Sequence, residues 1–247
     1  MKALILCAGY AVRLYPLTIN TPKPLLKIAG KSMIEHILYR VGEVSHIDDV
    51  YIVTNNKFYN NFVKWSKNYK SNKNIEIIND NTNSNEGRLG AIGDMHFVIN
   101  KKNIKDDLLV IAGDNLFEFS LLHMNKLFEE KKKSVIGLYD IKDEEKVAKK
   151  LGVAIIDDSS RIIDFEEKPE KPKSTLAATC CYMLTKKSVG LFEECLRQNK
   201  PDNAGDFIRW LSNREHVYGF VFTERWFDIG SHEQLKEADL AWRNKHA

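Results

Sequence analysis

Apolar positions recur along this chain with two different periods. Ala3–Cys7, Val50–Thr54, Ile75–Ile78 and Leu108–Ala112 are short, nearly continuous apolar runs, the signature of strands buried on both faces. Between them the period shifts to 3.6 residues. Met33, Ile34, Ile37, Leu38 and Val41 share one helical face, Phe58, Phe62 and Trp65 mark a second helix, and Leu89–Ile99 reads as a third. Ser32-Met33-Ile34-Glu35 is a capping box, with Ser32 as N-cap and Glu35 reaching back. The stretch Asn79–Gly87 is a polar, Asn-rich loop. This βαβα rhythm predicts a mostly parallel sheet covered by helices on both faces.

The rhythm changes after about Ser134. Val135–Tyr139, Val153–Ile156, Ile162–Phe165, Ala177–Leu184 and Val217–Phe222 read as strands, some closely spaced, so part of this half is expected to be antiparallel. Val189–Leu196, Phe207–Leu211 and Gln234–Trp242 read as helices. Pro169 to Pro172 forms a loop inside this pattern, not a linker. There is no internal repeat or low-complexity tail, and one α/β domain over residues 1–247 is the simplest organisation. Trp210, Tyr218, Phe220 and Phe222 suit the interface of a homo-oligomer and core packing equally well.

Charge and cysteine content narrow the function classes. A formal net charge of +3 over 247 residues is too mild for a nucleic-acid protein, whereas small anionic ligands fit it. Lys101-Lys102 and Lys131–Lys133 read as solvated surface. None of Cys7, Cys180, Cys181 and Cys195 forms a C-x-x-C pair, so zinc and redox-pair signatures are missing. Cys180 and Cys181 would face opposite sides of one strand, as free thiols in a reducing compartment. Ala3–Ala8 is too short for a secretory signal and no run reaches membrane-spanning length. A cytoplasmic protein without membrane or nucleic-acid partners is the expectation.

Four segments carry candidate chemistry. In Leu6–Leu14 a strand runs into the small-residue turn Ala8-Gly9-Tyr10-Ala11, whose backbone N–H groups can approach a phosphate closely. On its own, Ala8-Gly9 is equally an ordinary strand-to-helix turn. Arg13 and Lys23 add fixed positive charge, and Pro22 and Pro24 stiffen the chain around Lys23. Neither a Walker A loop nor a dinucleotide fingerprint is present. Asp114, in Ala112-Gly113-Asp114-Asn115, ends a buried strand, where open α/β sheets bind ligands; a turn or N-cap aspartate is the plainer reading. Asp228 in Trp226–Ser231 stands likewise, with Ser231 able to cap the next helix. Two such carboxylates suit one Mg²⁺ shared with substrate phosphates. Phe165-Glu166-Glu167-Lys168-Pro169 reads first as solvated charge, although Glu166, with Gly152 before its strand pair, could accept hydroxyls.

Taken together, these segments resemble the sugar-1-phosphate nucleotidylyltransferases, or NDP-sugar pyrophosphorylases, over nearly the full chain. The opening pattern stands here as LILCAGYAVRLYPLT with Thr21-Pro22-Lys23-Pro24. Glu167-Lys168-Pro169, the AGDN and WFDIGS aspartates, and Gly87-Arg88-Leu89-Gly90-Ala91-Ile92 follow in family order. The resemblance implies a three-layer αβα, Rossmann-like (GT-A-like) nucleotidyltransferase fold. Residues 1–133 would form a nucleotide half and 134–247 an acceptor half. It implies a Mg²⁺-dependent transfer of a nucleoside monophosphate from an NTP to a sugar-1-phosphate, releasing pyrophosphate. Asp114 and Asp228 would hold the metal, Arg13 the departing pyrophosphate and Lys23 the α-phosphate. Leu6, Ala8, Gly9, Tyr10, Ala11, Arg88 and Gly90 would bind the nucleotide. Asn115, Gly152, Glu166, Lys168, Thr179 and Cys180 would bind the acceptor.

Departures from the pattern limit the reading. Ala11-Val12 replaces Gly-Thr, Arg88-Leu89 replaces Thr-Ala near the base, and Cys180 stands where many members have glycine. A Cys180 side chain would narrow the acceptor pocket. One C-terminal helix is expected at the end of this sequence, rather than the left-handed β-helix of acetyltransferase-fused relatives. Two rival readings follow: a cytidylyltransferase acting on a small phosphate such as phosphocholine, and a non-catalytic nucleotide-binding relative.

Overall fold

The computed structural model describes residues 1–198 and 203–244. Its strands are β1 (Lys2–Leu6), β2 (Lys27–Ile28), β3 (Lys31–Ser32), β4 (Asp49–Thr54), β5 (Asn74–Asn79), β6 (Leu108–Ala112) and β7 (Asn115–Phe117). The second half adds β8 (Ser134–Asp140), β9 (Val153–Ile156), β10 (Ile162–Glu166), β11 (Leu176–Leu184), β12 (Val217–Phe222) and β13 (Trp226–Asp228). The helices are α1 (Met33–Glu43), α2 (Tyr59–Asn68), α3 (Gly90–Lys102), α4 (Leu121–Lys131), α5 (Glu144–Val147), α6 (Lys186–Val189), α7 (Phe192–Gln198), α8 (Ala204–Ser212) and α9 (His232–Arg243).

A nine-stranded sheet runs through both halves in the order β10-β9-β11-β6-β1-β4-β5, with β8 pairing β11 and carrying β12. The strands β6, β1, β4 and β5 are parallel, as the alternation of strand and helix requires. Around β11 the pairs with β6, β8 and β9 are antiparallel, and β8–β12 is parallel again. The period-2 alternation sorts side chains to two cores. Leu4, Val110 and Tyr182 face α3 and α6–α8 on one side, while Ala3, Ile5, Ile111 and Cys181 face α1, α2 and α4 on the other. The result is the mixed, three-layer α/β arrangement.

Glu35 reaches back to the start of α1 as read, accepting from Ser32 N at Oε2 over 2.9 Å. Two helical readings need correction. The stretch Val189–Leu196 is broken at Gly190-Leu191 into α6 and α7. Helix α4 was not anticipated, although Ser120 caps it and Leu121, Met124 and Phe128 share its buried face. Trp210 and Phe222 lie in the two cores, and Tyr218 and Phe220 pack partly buried against the second. Among the described residues, no helix is long and apolar enough to cross a membrane.

Candidate active site

The site is assembled at the C-terminal ends of β1 and β6. Leu6 accepts a bond from Gly113 N at 2.8 Å, and Cys7 N donates to Val53 O at 2.8 Å. The strand therefore stays in the sheet until the small-residue turn begins. Buried Asn55 donates to Ala8 O at 2.8 Å, which pins the turn. Ala11 is left-handed (φ 49°), a conformation that costs a residue with a Cβ about 1–2 kcal/mol. Thr18 Oγ1 holds it by donating to Ala11 O at 2.8 Å. The backbone then enters a short 3-10 turn, Val12–Leu14, that carries Arg13. This loop walls a cleft of about 300 Å³ whose lining includes Leu6, Gly9, Tyr10, Ala11, Arg13, Lys23, Arg88 and Asp114. Ala8 is buried behind the turn, and Gly90 (φ 76°) opens α3 without facing this cavity.

Lys23 and Asp114 meet because Gly113 has no side chain. A Cβ there would lie 2.5 Å from Cys7 Sγ, 2.8 Å from Leu6 O and 3.1 Å from Pro24 Cγ. The bare backbone lets the Pro22–Pro24 segment close on the end of β6, and buried Lys23 Nζ reaches Asp114 Oδ2 at 2.8 Å. A second, two-stranded sheet places the other aspartate. β13 pairs antiparallel with β7 in the register Asp228↔Asn115, next to Asp114. Desolvation and the charge of Asp114 push the Asp228 carboxyl up to about 6, against the opposing pull of Lys23, Arg13 and Lys168. The Arg13 guanidinium lies over Gly230, where an added Cβ would sit 3.4 Å from its Nη2. Ser231 caps α9 as read, accepting from Gln234 N.

Two close carboxylates among three cations are a donor set a divalent ion would complete. Each carboxylate offers oxygen ligands, and their mutual repulsion is what such an ion relieves. Among the described residues no cluster of three or more Asp, Glu, His or Cys forms a closed metal cage. An ion shared with substrate phosphates fits this pair better than one held by protein alone.

Placement in the second half departs from the reading at several positions. Asp164 and Glu166 turn outward to Lys173 Nζ, at 2.9 and 3.3 Å. Glu167 instead turns in. Its Oε2 lies where Cβ atoms on Gly152 and Gly205 would fall, at 2.6 and 1.8 Å, so both glycines make room for this carboxylate. Burial and the charge of Asp206 push Glu167 up to about 7, against Lys168 and Arg209. Gly152 O is already bonded to Ala178 N at 2.8 Å. Asn115 and Thr179 are buried and committed: Asn115 Nδ2 donates to Thr179 O, Asn115 Oδ1 accepts from Trp226 Nε1 at 2.9 Å, and Thr179 Oγ1 donates to Gly137 O at 3.1 Å. They tie β7, β11 and β13 together rather than present free groups. Asn203, absent from the sequence reading, accepts from Lys168 Nζ.

Lys168 and Cys180 are both left-handed, with φ of 48° and 51°. Together with Ala11 they place three non-glycine residues in this costly conformation around one region, as functional clefts often do. Cys180 sits at the register shift of β11 between Ala178 and Tyr182. It packs toward the first core while Cys181 enters the second, so the two thiols do face opposite sides of the sheet. The nearby Asp114, Glu167 and Asp228 charges reinforce burial in holding the Cys180 thiol protonated.

The nucleotidyl transferase family model matches residues 2–245. This chain belongs to the nucleotidyl transferase family. It is 32% identical over 240 residues to the bifunctional protein GlmU of Methanocaldococcus jannaschii, covering 97% of this chain and 53% of that protein. The GlmU of Methanococcus aeolicus is 28% identical, with 97% and 54% covered. The chain thus spans about half the length of the curated relatives it matches. A Bacillus anthracis structure assigned as a glucose-1-phosphate thymidylyltransferase, in complex with sucrose, superposes with a TM-score of 0.83 at 25% identity, covering 99% of this chain and 96% of that one. A UDP-glucose pyrophosphorylase bound to UDP-glucose superposes at 0.82 and 23% identity, with 99% and 98% covered, a likeness of fold.

Proposed function

We propose that this nucleotidyl transferase moves a nucleoside monophosphate from an NTP to a sugar-1-phosphate, giving an NDP-sugar and pyrophosphate. The observation that carries the reading is the convergence of Lys23, Arg13 and Lys168 on the Asp114–Asp228 pair, beside the phosphate-loop cleft. Residues 1–133 would seat the nucleotide and 134–247 the acceptor, in a cytoplasmic setting.

Backbone N–H groups of Gly9 and Ala11 and the side chains of Arg13 and Lys23 would take the triphosphate. An oxygen of the acceptor phosphate then attacks the α-phosphorus in line, and pyrophosphate departs toward Arg13. No general base is required, because a phosphate monoester with a second pKa near ~6 is ionised at neutral pH. The protein therefore positions the reactants and neutralises charge. Mg²⁺ held by Asp114 and Asp228 would supply charge neutralisation at the α- and acceptor phosphates. Lys168, fixed by Asn203 and its own backbone strain, would hold the acceptor phosphate. Glu167, rather than the outward Glu166, would meet acceptor hydroxyls. Cys180 favours a second reading of acceptor size: its side chain at a strained position suits an acceptor smaller than a hexose phosphate, such as phosphocholine.

Pyrophosphate release tests this reading. ATP, CTP, GTP, UTP and dTTP are each paired with sugar-1-phosphates and with phosphocholine, with and without Mg²⁺. Metal-dependent release with a sugar-1-phosphate is expected. Release with phosphocholine alone transfers the assignment to the small-acceptor reading. Silence from a folded, NTP-binding protein contradicts the transfer reaction and favours a regulatory relative.

A further inference from the structure

Behind the nucleotide cleft lies a second pair of aspartates that the transfer reaction does not use. Asp80 follows β5 and Asp94 projects from α3; they are 5% and 6% exposed. Their carboxyl groups lie within hydrogen-bonding reach of each other, and a bond between them requires a proton that such groups ordinarily do not carry at neutral pH. The location of that proton follows from the other bonds. Asp80 accepts from Thr82 N at 2.7 Å and from Thr82 Oγ1 at 3.0 Å, so its charge is compensated. Asp94 Oδ1 has no partner at all, a state tolerable for a neutral acid's carbonyl oxygen and costly for half of a carboxylate. Asp94 is therefore the member of the pair that keeps the proton.

This pair anchors parts of the cleft wall. Asp80 and Thr82 begin the polar loop that leads to Asn85 and Arg88, both cleft-lining residues. Thr82 O accepts from Asn56 N at 3.0 Å, and Thr82 Oγ1 lies 3.5 Å from the hydroxyl of Tyr10, which lines the cleft from the phosphate loop. One shared proton thus joins α3, β5, the polar loop and Tyr10. The titratable groups that feel Asp94 are Asp80 and the Cys7 thiol at the end of β1. β4 and α8, also packed on α3, contribute Val53, Phe207 and Leu211 to the same core.

Building on the nucleotide reading above, we infer that Asp94 is a positioning residue that, as a neutral acid donating to Asp80, holds the loop of residues 79–88 in its nucleotide-binding form. Ionising Asp94 sets two buried anions side by side, and the loop must release one of them. Burial and the neighbouring charge place this ionisation at about 8. That lies above the titration of a triphosphate and below that of lysine.

Nucleotide binding measured by calorimetry with ATP, CTP, GTP and UTP from pH 6.5 to 9 provides the test, beside a ¹³C carboxyl titration of Asp94. Wild-type affinity should fall about tenfold between pH 7 and 9, following the Asp94 signal. Asp94→Asn keeps a donor to Asp80 without a titrating proton, and its affinity should stay near the wild-type pH 7 value throughout. Asp94→Ala should bind more weakly at every pH. The same pH profile in wild type and Asp94→Asn, or an Asp94 that titrates in the ordinary carboxylate range, overturns the inference and leaves the nucleotide reading standing. Binding of none of the four triphosphates at any pH overturns both.

Discussion

Two pairs of aspartates lie at the same end of this sheet, and their surroundings give them opposite chemistry. Asp114 lines a cleft, and with Asp228 it shares the field of Lys23, Arg13 and Lys168. Asp80 and Asp94 are buried, and Asp80 accepts from the backbone N–H and hydroxyl of Thr82. The first pair can stay charged, because cations already share the field and a divalent ion would complete it. The second pair can persist only by keeping a proton. Proximity of two carboxylates therefore says little by itself; what neutralises them decides whether they serve transfer or scaffolding.

The largest effect expected from this contrast falls on the open pair. Asp114→Asn and Asp228→Asn should each slow turnover by at least 10²-fold, since the electrostatic contribution of a bound metal is lost. Wild-type turnover in either variant under saturating Mg²⁺ would remove the metal from that pair. For the buried pair the readout is stability against pH. Asp94 has a folded pKa raised above its unfolded value, so the folded state holds the proton more tightly. Its contribution is fully present below the unfolded carboxylate range and is lost as pH rises toward 8. Denaturant unfolding should show stability falling across this window by up to about 1.4 kcal/mol per pH unit. Asp94→Asn should flatten that slope, and an unchanged slope would assign it to other groups.

Smaller effects sharpen the acceptor side. Lys168→Ala should raise the acceptor KM about tenfold, or ~1.4 kcal/mol, with a lesser change in the KM for NTP. Equal effects on both substrates would place Lys168 elsewhere. Cys180→Gly exchanges a left-handed residue for one that adopts φ 51° freely, which should stabilise the fold by about 1 kcal/mol at most after lost packing. Thermal unfolding reads that gain, and an acceptor panel reads the second expectation, a broader choice. An identical panel would show that Cys180 does not narrow the pocket.

Legibility in the sequence followed periodicity. The strands β1, β4, β6 and β8 through β12 and the helix α1 were readable because each presents a full period or a cap signal. The three-residue strands β7 and β13 carry no period, so the pairing that brings Asp228 beside Asp114 was invisible. The charge run favours Glu166 by sequence, yet Phe165 points inward and a strand's two-residue repeat turns Glu167 the same way. Asn115 and Thr179 sit at positions that suit an acceptor site, yet their polar atoms are consumed by bonds between strands that lie far apart in sequence. The Asp80–Asp94 pair spans a loop and a helix start with no motif connecting them, so only the fold shows it.

The most direct test of the open pair is a Mg²⁺ titration of pyrophosphate release, with one productive NTP and acceptor, in wild type and Asp228→Asn. Wild type should be silent without a divalent ion and saturate with Mg²⁺, while Asp228→Asn should remain at least 10²-fold slower at every concentration. Full release without divalent ion, or full release by Asp228→Asn, would contradict metal-dependent transfer at Asp114 and Asp228.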